Sequence, residues 1–180
     1  MAFLTRTRAA IGMAALCAAL CPWSALAQRP APEDQIKAVF LFNFAKYVDW
    51  PEVPPGTPAS IRLCVPANPE FLAMLRAAVQ GEVVNGRPLN ATDLDGLDSA
   101  RDCDILYVGN AARPDAAAWA GAVRGRHTLT VGDGTLADGI VIAFVRDQNR
   151  VRFDINRAAA VRQKLAISSR LLGLARRVEP

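Results

Sequence analysis

The chain has 180 residues, 52% of them hydrophobic, with 21 basic and 17 acidic side chains, four cysteines and one histidine. A net charge of +4 with no lysine/arginine cluster interleaved with aromatics gives nucleic-acid binding no electrostatic support. One histidine, and cysteines without zinc spacing, leave both metal and nucleophile–base chemistry short of the groups they need.

In chain order, Arg6 and Arg8 precede an apolar stretch from Ile11 to Leu20, and Ala25-Leu26-Ala27 makes a small-x-small exit. This is the pattern of a secretory signal, residues 1–27, cleaved after Ala27. Pro22 and the short apolar run argue against a retained anchor. Cys17 and Cys21 each follow a leucine where a lipoprotein signal wants a small residue. The mature chain, residues 28–180, loses Arg6 and Arg8 and so carries 19 basic against 17 acidic residues, net +2. Its length suits a single domain with its own core.

After a proline-rich leader, Glu33-Asp34 suits the start of a helix, where carboxylates complement the dipole. In "KAVFLFNFAKYVDWP", residues 37–51, Ile36 just upstream joins Val39, Phe40, Phe44, Tyr47 and Val48 at helical spacing. Leu41 and Phe42 widen the stripe, so only a narrow face is wetted, and Pro51, Pro54 and Pro55 end the helix. Only eight residues separate Lys37 from Lys46, against roughly 20 needed to span a bilayer, so no membrane insertion is expected after signal cleavage. The rings Phe40, Phe42, Phe44, Tyr47 and Trp50 read as core first. Their surplus width suggests a second contact, either a homodimer or a partner surface.

Ser60–Val65 reads as a buried strand and Pro69–Val79 as an amphipathic helix opened by proline. "VVNGRPL" carries an Asn-Gly turn between two extended pieces. Asp104–Val108 is a further strand, Asp115–Arg124 an alanine-rich helix, and Thr128–Val131 another strand before the turn-rich "GDGTLADG". Ile140–Val145 and Arg150–Ile155 follow as two strands joined by "RDQN". In the second, Val151, Phe153 and Ile155 alternate with Arg150, Arg152 and Asp154, as in a sheet with one wetted face. Apolar periodicity runs from Ala158 to Ala175, with Ser168-Ser169 capping a final helix. Strands alternating with helices predict one α/β domain: a mainly parallel sheet covered on both faces, with an antiparallel edge pair.

Candidates for chemistry are few. His127 in "RGRHTLT" reads as a strand-edge residue, and an exported enzyme using it is the weakest functional reading. Asp93, Asp95, Asp98, Asp102 and Asp104 lack the register of a calcium loop and read as turn formers. Cys64 and Cys103, the two cysteines of the mature chain, are most simply one disulfide, the alternative being two buried thiols. A turn near the strand ends, Asp133–Gly139, would border a ligand crevice in an open parallel sheet. That supports a small-ligand-binding module feeding a membrane sensor such as a histidine kinase.

Four stretches together resemble the YfiR family: "KAVFLFNFAKYVDWP", "VNGRPL" at 84–89, "LTVGD" at 129–133, and "VRFDINRAAAVRQKLAISSRLLGLAR" at 151–176. The resemblance covers nearly all of the mature chain. It implies a compact periplasmic α/β domain, able to dimerise, with no catalytic activity and no cofactor. It also implies that the domain binds the periplasmic PAS-like part of an inner-membrane diguanylate cyclase and holds it inactive. An OmpA-like outer-membrane lipoprotein would sequester the regulator, so that cyclic di-GMP rises and biofilm growth is favoured. The family's disulfide maps to Cys64 and Cys103, while a second bridge found in part of the family has no counterpart. Candidate partner or dimer positions lie on the opening helix (Phe40, Phe44, Tyr47, Trp50) and in the C-terminal segment (Asp154, Asn156, Arg170).

Overall fold

Each element begins or ends where local chemistry dictates. The computed structural model describes residues 32–50, 60–109 and 116–180; the expected signal segment and Pro51, Pro54 and Pro55 lie outside them. Helix α1, Pro32–Tyr47, starts on a proline with Glu33 and Asp34 in its first turn and Lys46 in its last, as the helix dipole favours. It stops at Tyr47 because the next two residues leave to pair elsewhere as β1, Val48–Asp49. After β2, Ile61–Cys64, the Asn68 side chain accepts a hydrogen bond from the Phe71 amide (3.1 Å) and caps α2, Pro69–Val79. Strands β3, Val83–Val84, and β4, Arg87–Thr92, flank Asn85-Gly86. Both turn residues have positive φ (51° and 77°), as a two-residue hairpin turn requires.

A 3-10 helix, Leu97–Asp102, leads to β5, Ile105–Val108. Then come α3, Ala116–Ala122, β6, Leu129–Asp133, β7, Ile142–Asp147, and β8, Arg150–Asn156. The β7–β8 hairpin turns on Gln148-Asn149, again both at positive φ, so β7 runs on to Asp147, past the expected end at Val145, while β8 starts at Arg150 as expected. The chain finishes with α4, Arg157–Arg162, β9, Ala166–Ile167, α5, Ser169–Leu174, and β10, Arg177–Glu179.

Eight strands form one sheet in the order β10-β8-β7-β6-β5-β2-β4-β3, parallel except at the β7–β8 and β3–β4 hairpins. Alternate residues of β5 face opposite cores. Ile105 and Tyr107 join the larger cluster with α1, α2 and the inner faces of β7 and β8. Leu106 and Val108 join the smaller one with the 3-10 helix, α3, Cys64 and Cys103. The expected α/β architecture and its antiparallel pair are therefore present.

Two expectations change. The apolar run from Ala158 to Ala175 is broken where Lys164 adopts φ 56°. There the Leu165 amide reaches back to the Ala160 carbonyl (3.0 Å), closing α4 in a Schellman-type turn. The freed residues Ala166–Ile167 pair antiparallel with β1 as a separate two-stranded sheet. The polar face of β8 is not wetted along its length either: Asp154 is only 2% exposed, covered by Arg176, just before β10, and Arg177, its first residue.

Candidate partner-binding face

Helix α1 is apolar nearly all round, so its sequence leaves open which side turns inward. The structure turns Ala38, Leu41, Phe44 and Ala45 into the core. It leaves Ile36 and Val39 45% and 51% exposed, although their spacing had placed them on the core stripe. Phe44 packs against Phe144 and Phe153 with ring centroids 5.7 and 5.1 Å away. Phe40, half-buried, closes the cluster at 5.5 Å from Phe153 and 5.9 Å from Phe144.

Lys37 lies on the same inward side, 6% exposed. Its ammonium reaches over the ends of the central strands to Asp133, the last residue of β6 (3.1 Å), and back one turn to Glu33 (3.0 Å). Asp133 also accepts the hydroxyl of Tyr107 on β5 (2.9 Å), and Glu33 continues to Arg146 on β7. Burial pushes the Lys37 ammonium down, but Asp133 and Glu33 outweigh it and the net direction is up. The Lys37 and Arg146 hydrogen bonds hold Glu33 below its ordinary range. Burial and then Asp133 push the Tyr107 phenol far up, so that it is a permanent donor. Of this chain of groups, the residue patterns place Asp133 at a candidate crevice and Glu33 at a helix start, and give Lys37, Tyr107 and Arg146 no role. Glu33 and Lys37 stand four apart, a legible helix pair, but nothing local connects them to Asp133.

The strand-end crevice expected at Asp133–Gly139 is thereby largely spent on the protein itself. Asp133 faces Lys37 and Tyr107, Asp138 pairs with Arg124 (3.2 Å), and the Gly139 carbonyl accepts the Thr130 hydroxyl. A Cβ at Gly139 would stand 2.9 Å from the Ala120 Cβ, and φ there is +79°, so the glycine serves close packing. His127 is half-exposed at φ 64°, at the edge of β6. Among the described residues, no group of three or more His, Cys, Asp and Glu could hold a metal. No helix among them is long and apolar enough to cross a membrane.

The remaining expected positions separate into three places. Tyr47, Trp50 and Arg170 cluster at the C-terminal end of α1. There the Arg170 guanidinium lies 5.4 Å from the Tyr47 ring centre, and the Trp50 indole donates to the Ala45 carbonyl (2.9 Å). The Ser168 amide donates to the Tyr47 carbonyl (3.0 Å) and fastens this corner. Phe44 and Asp154 are buried inside the monomer and offer no surface. Asp154 receives Nε and Nη2 of Arg176 (2.8 and 2.6 Å) and Nη2 of Arg177 (3.1 Å). The Arg176 hydrogen bonds hold its carboxyl below the ordinary aspartate value. Asn156 caps α4 by accepting the Ala159 amide (2.7 Å). Cys64 and Cys103 form a disulfide, Cα atoms 6.0 Å apart, which settles the open alternative of free thiols.

Outward-facing Ile36 and Val39 sit beside a shallow groove that Phe40 and Val151 line with Arg146, Asn149 and Arg150. A fold whose buried polar groups satisfy one another, while its apolar surplus faces solvent, has the construction of a binding module. Over residues 34–176 the chain matches the YfiR/HmsC-like family and belongs to it. This is a family of regulatory, non-catalytic periplasmic domains of c-di-GMP signalling. None of the curated proteins matches the chain. A crystal structure of a conserved domain protein from Vibrio cholerae O1 biovar El Tor superposes with a TM-score of 0.54 at 14% identity. The match covers 82% of this chain but 60% of that one, and it speaks for the fold alone.

Proposed function

We propose that this protein is a periplasmic repressor: it binds the periplasmic domain of an inner-membrane diguanylate cyclase and holds that enzyme inactive. The observation that carries this reading is the family match, which runs from the start of α1 to the end of the C-terminal segment. The outward apolar face of α1 supports it, because exposed aliphatic residues next to a ring-lined groove are what a protein partner covers. An OmpA-like outer-membrane lipoprotein competes for the regulator and releases the cyclase, and a homodimer is the resting form. A regulator of this kind acts only through its preference for one state of its partner. Holding an evenly poised cyclase 99% off takes about 2.7 kcal/mol of preference, within reach of a modest, exchangeable interface.

The test is to purify the signal-processed protein and titrate it against the periplasmic domains of its host's membrane cyclases, one at a time. In parallel, cyclic di-GMP is measured in a strain lacking the gene. Saturable binding to one domain, with raised cyclic di-GMP in the deletion strain, is expected. No binding to any cyclase domain, with cyclic di-GMP unchanged, overturns the reading.

A further inference from the structure

The groove beside α1 has an unusual balance of charge. Its floor and apolar wall are Ile36, Phe40 and Val151, and Val39 lies one turn from Ile36 on the same exposed side of the helix. Glu33 at one end already serves both Lys37 and Arg146. Arg150 at the other end is exposed and makes no ion pair among the described residues. Asn149, held at φ 60° by the hairpin turn, sets its side chain beside that arginine on the groove's rim. The groove therefore offers apolar contact with one cation to spare.

We propose that this groove docks a segment of a protein partner that carries an apolar side chain and, next to it, a carboxylate. The apolar side chain sits against Ile36, Val39 and Phe40, and the carboxylate pairs with Arg150, whose planar guanidinium suits bidentate recognition. A basic segment is disfavoured because Arg146 and Arg150 would face it. The assignment rests on the binding-module reading above and names the surface that does the binding.

Two labelled peptides of equal length test it, one alternating leucine with glutamate and the other leucine with lysine, read by fluorescence anisotropy against the purified protein. The glutamate peptide is expected to bind and the lysine peptide not. Arg150→Glu weakens the glutamate peptide at least about tenfold, the size expected for a lost charge pair, and Val39→Asp abolishes binding. Both positions are exposed, so melting temperatures stay at the wild-type value. Equal binding of the two peptides, no binding of either, or indifference to Arg150→Glu overturns the proposal. If Val39→Asp instead converts a dimer to monomers in sedimentation, the occupant is a second copy and the proposal also falls. A cyclase domain that binds wild type, Val39→Asp and Arg150→Glu alike would remove this surface while leaving the repressor reading intact. Peptide discrimination without cyclase binding would do the reverse.

Discussion

A lysine only 6% exposed would cost several kcal/mol if it stood alone. Lys37 is tolerated because two carboxylates face its ammonium and a phenol holds the further oxygen of one of them. Replacing it with methionine leaves the Asp133 carboxylate, itself nearly buried, without this cation. Lys37→Met is therefore expected to lower unfolding stability by about 3 kcal/mol in denaturant melts. The double variant Lys37→Met/Asp133→Asn recovers roughly half of that loss, because the stranded charge has gone too. The folded-state pKa of Lys37 lies above its ordinary 10.5, so its contribution is complete below that pH and fades as pH rises through the folded value. The wild type, unlike the double variant, loses that increment in strongly alkaline melts. Residue spacing made the helix legible but not its rotation: Ile36 and Val39 repeat with the core, yet Ala38, Leu41 and Phe44 take the inward side and Lys37 joins them there through its pairing with Asp133.

The C-terminal elements are held by side chains rather than by length. Strand β10 pairs with β8 over only Arg177–Glu179, and its anchorage comes from Arg176 and Arg177 on the buried Asp154. Asp154→Asn is expected to cost about 2 kcal/mol, the scale of a lost charge-assisted hydrogen bond. Hydrogen exchange should show the loss first in β10 and in the amide of Arg176, which bonds the Phe153 carbonyl (2.8 Å). Because the Asp154 carboxyl is held below its ordinary 3.8, its stabilisation is present above that value and disappears as pH falls through the depressed one. The acid limb of the wild-type stability curve is thus steeper than that of Asp154→Asn. Alternation along β8 signalled a wetted face because a strand pattern cannot reveal a lid made by residues more than twenty positions later. The continuous apolar run after it hid β9 for a related reason: a left-handed lysine, not a proline or glycine, ends α4.

Across the whole molecule, the fold class was legible because strands and helices alternate and the strands at its centre are apolar on both faces, as β5 is. The separate β1–β9 sheet was not legible, since two-residue strands leave no periodicity to read. The Cys64–Cys103 bridge closes a loop of 39 residues between the end of β2 and the entry to β5. In the chain-entropy account it stabilises the fold by on the order of 4 kcal/mol. Cys64→Ser is expected to lower the denaturant midpoint accordingly. Reductant added to the wild type should reproduce that midpoint and leave the variant's unchanged.

The pairing of β1 with β9 joins the first described helix to the last fifty residues of the chain, and α1 finds its aromatic partners on β7 and β8. The opening helix already has α2 to pack against, but its aromatic cluster and the β1–β9 pairing are completed only when the C-terminal strands are present. Contacts so distant in sequence make for slow folding. The Phe44 ring gains its partners Phe144 and Phe153 only once the β7–β8 hairpin has formed, so this cluster closes late in folding.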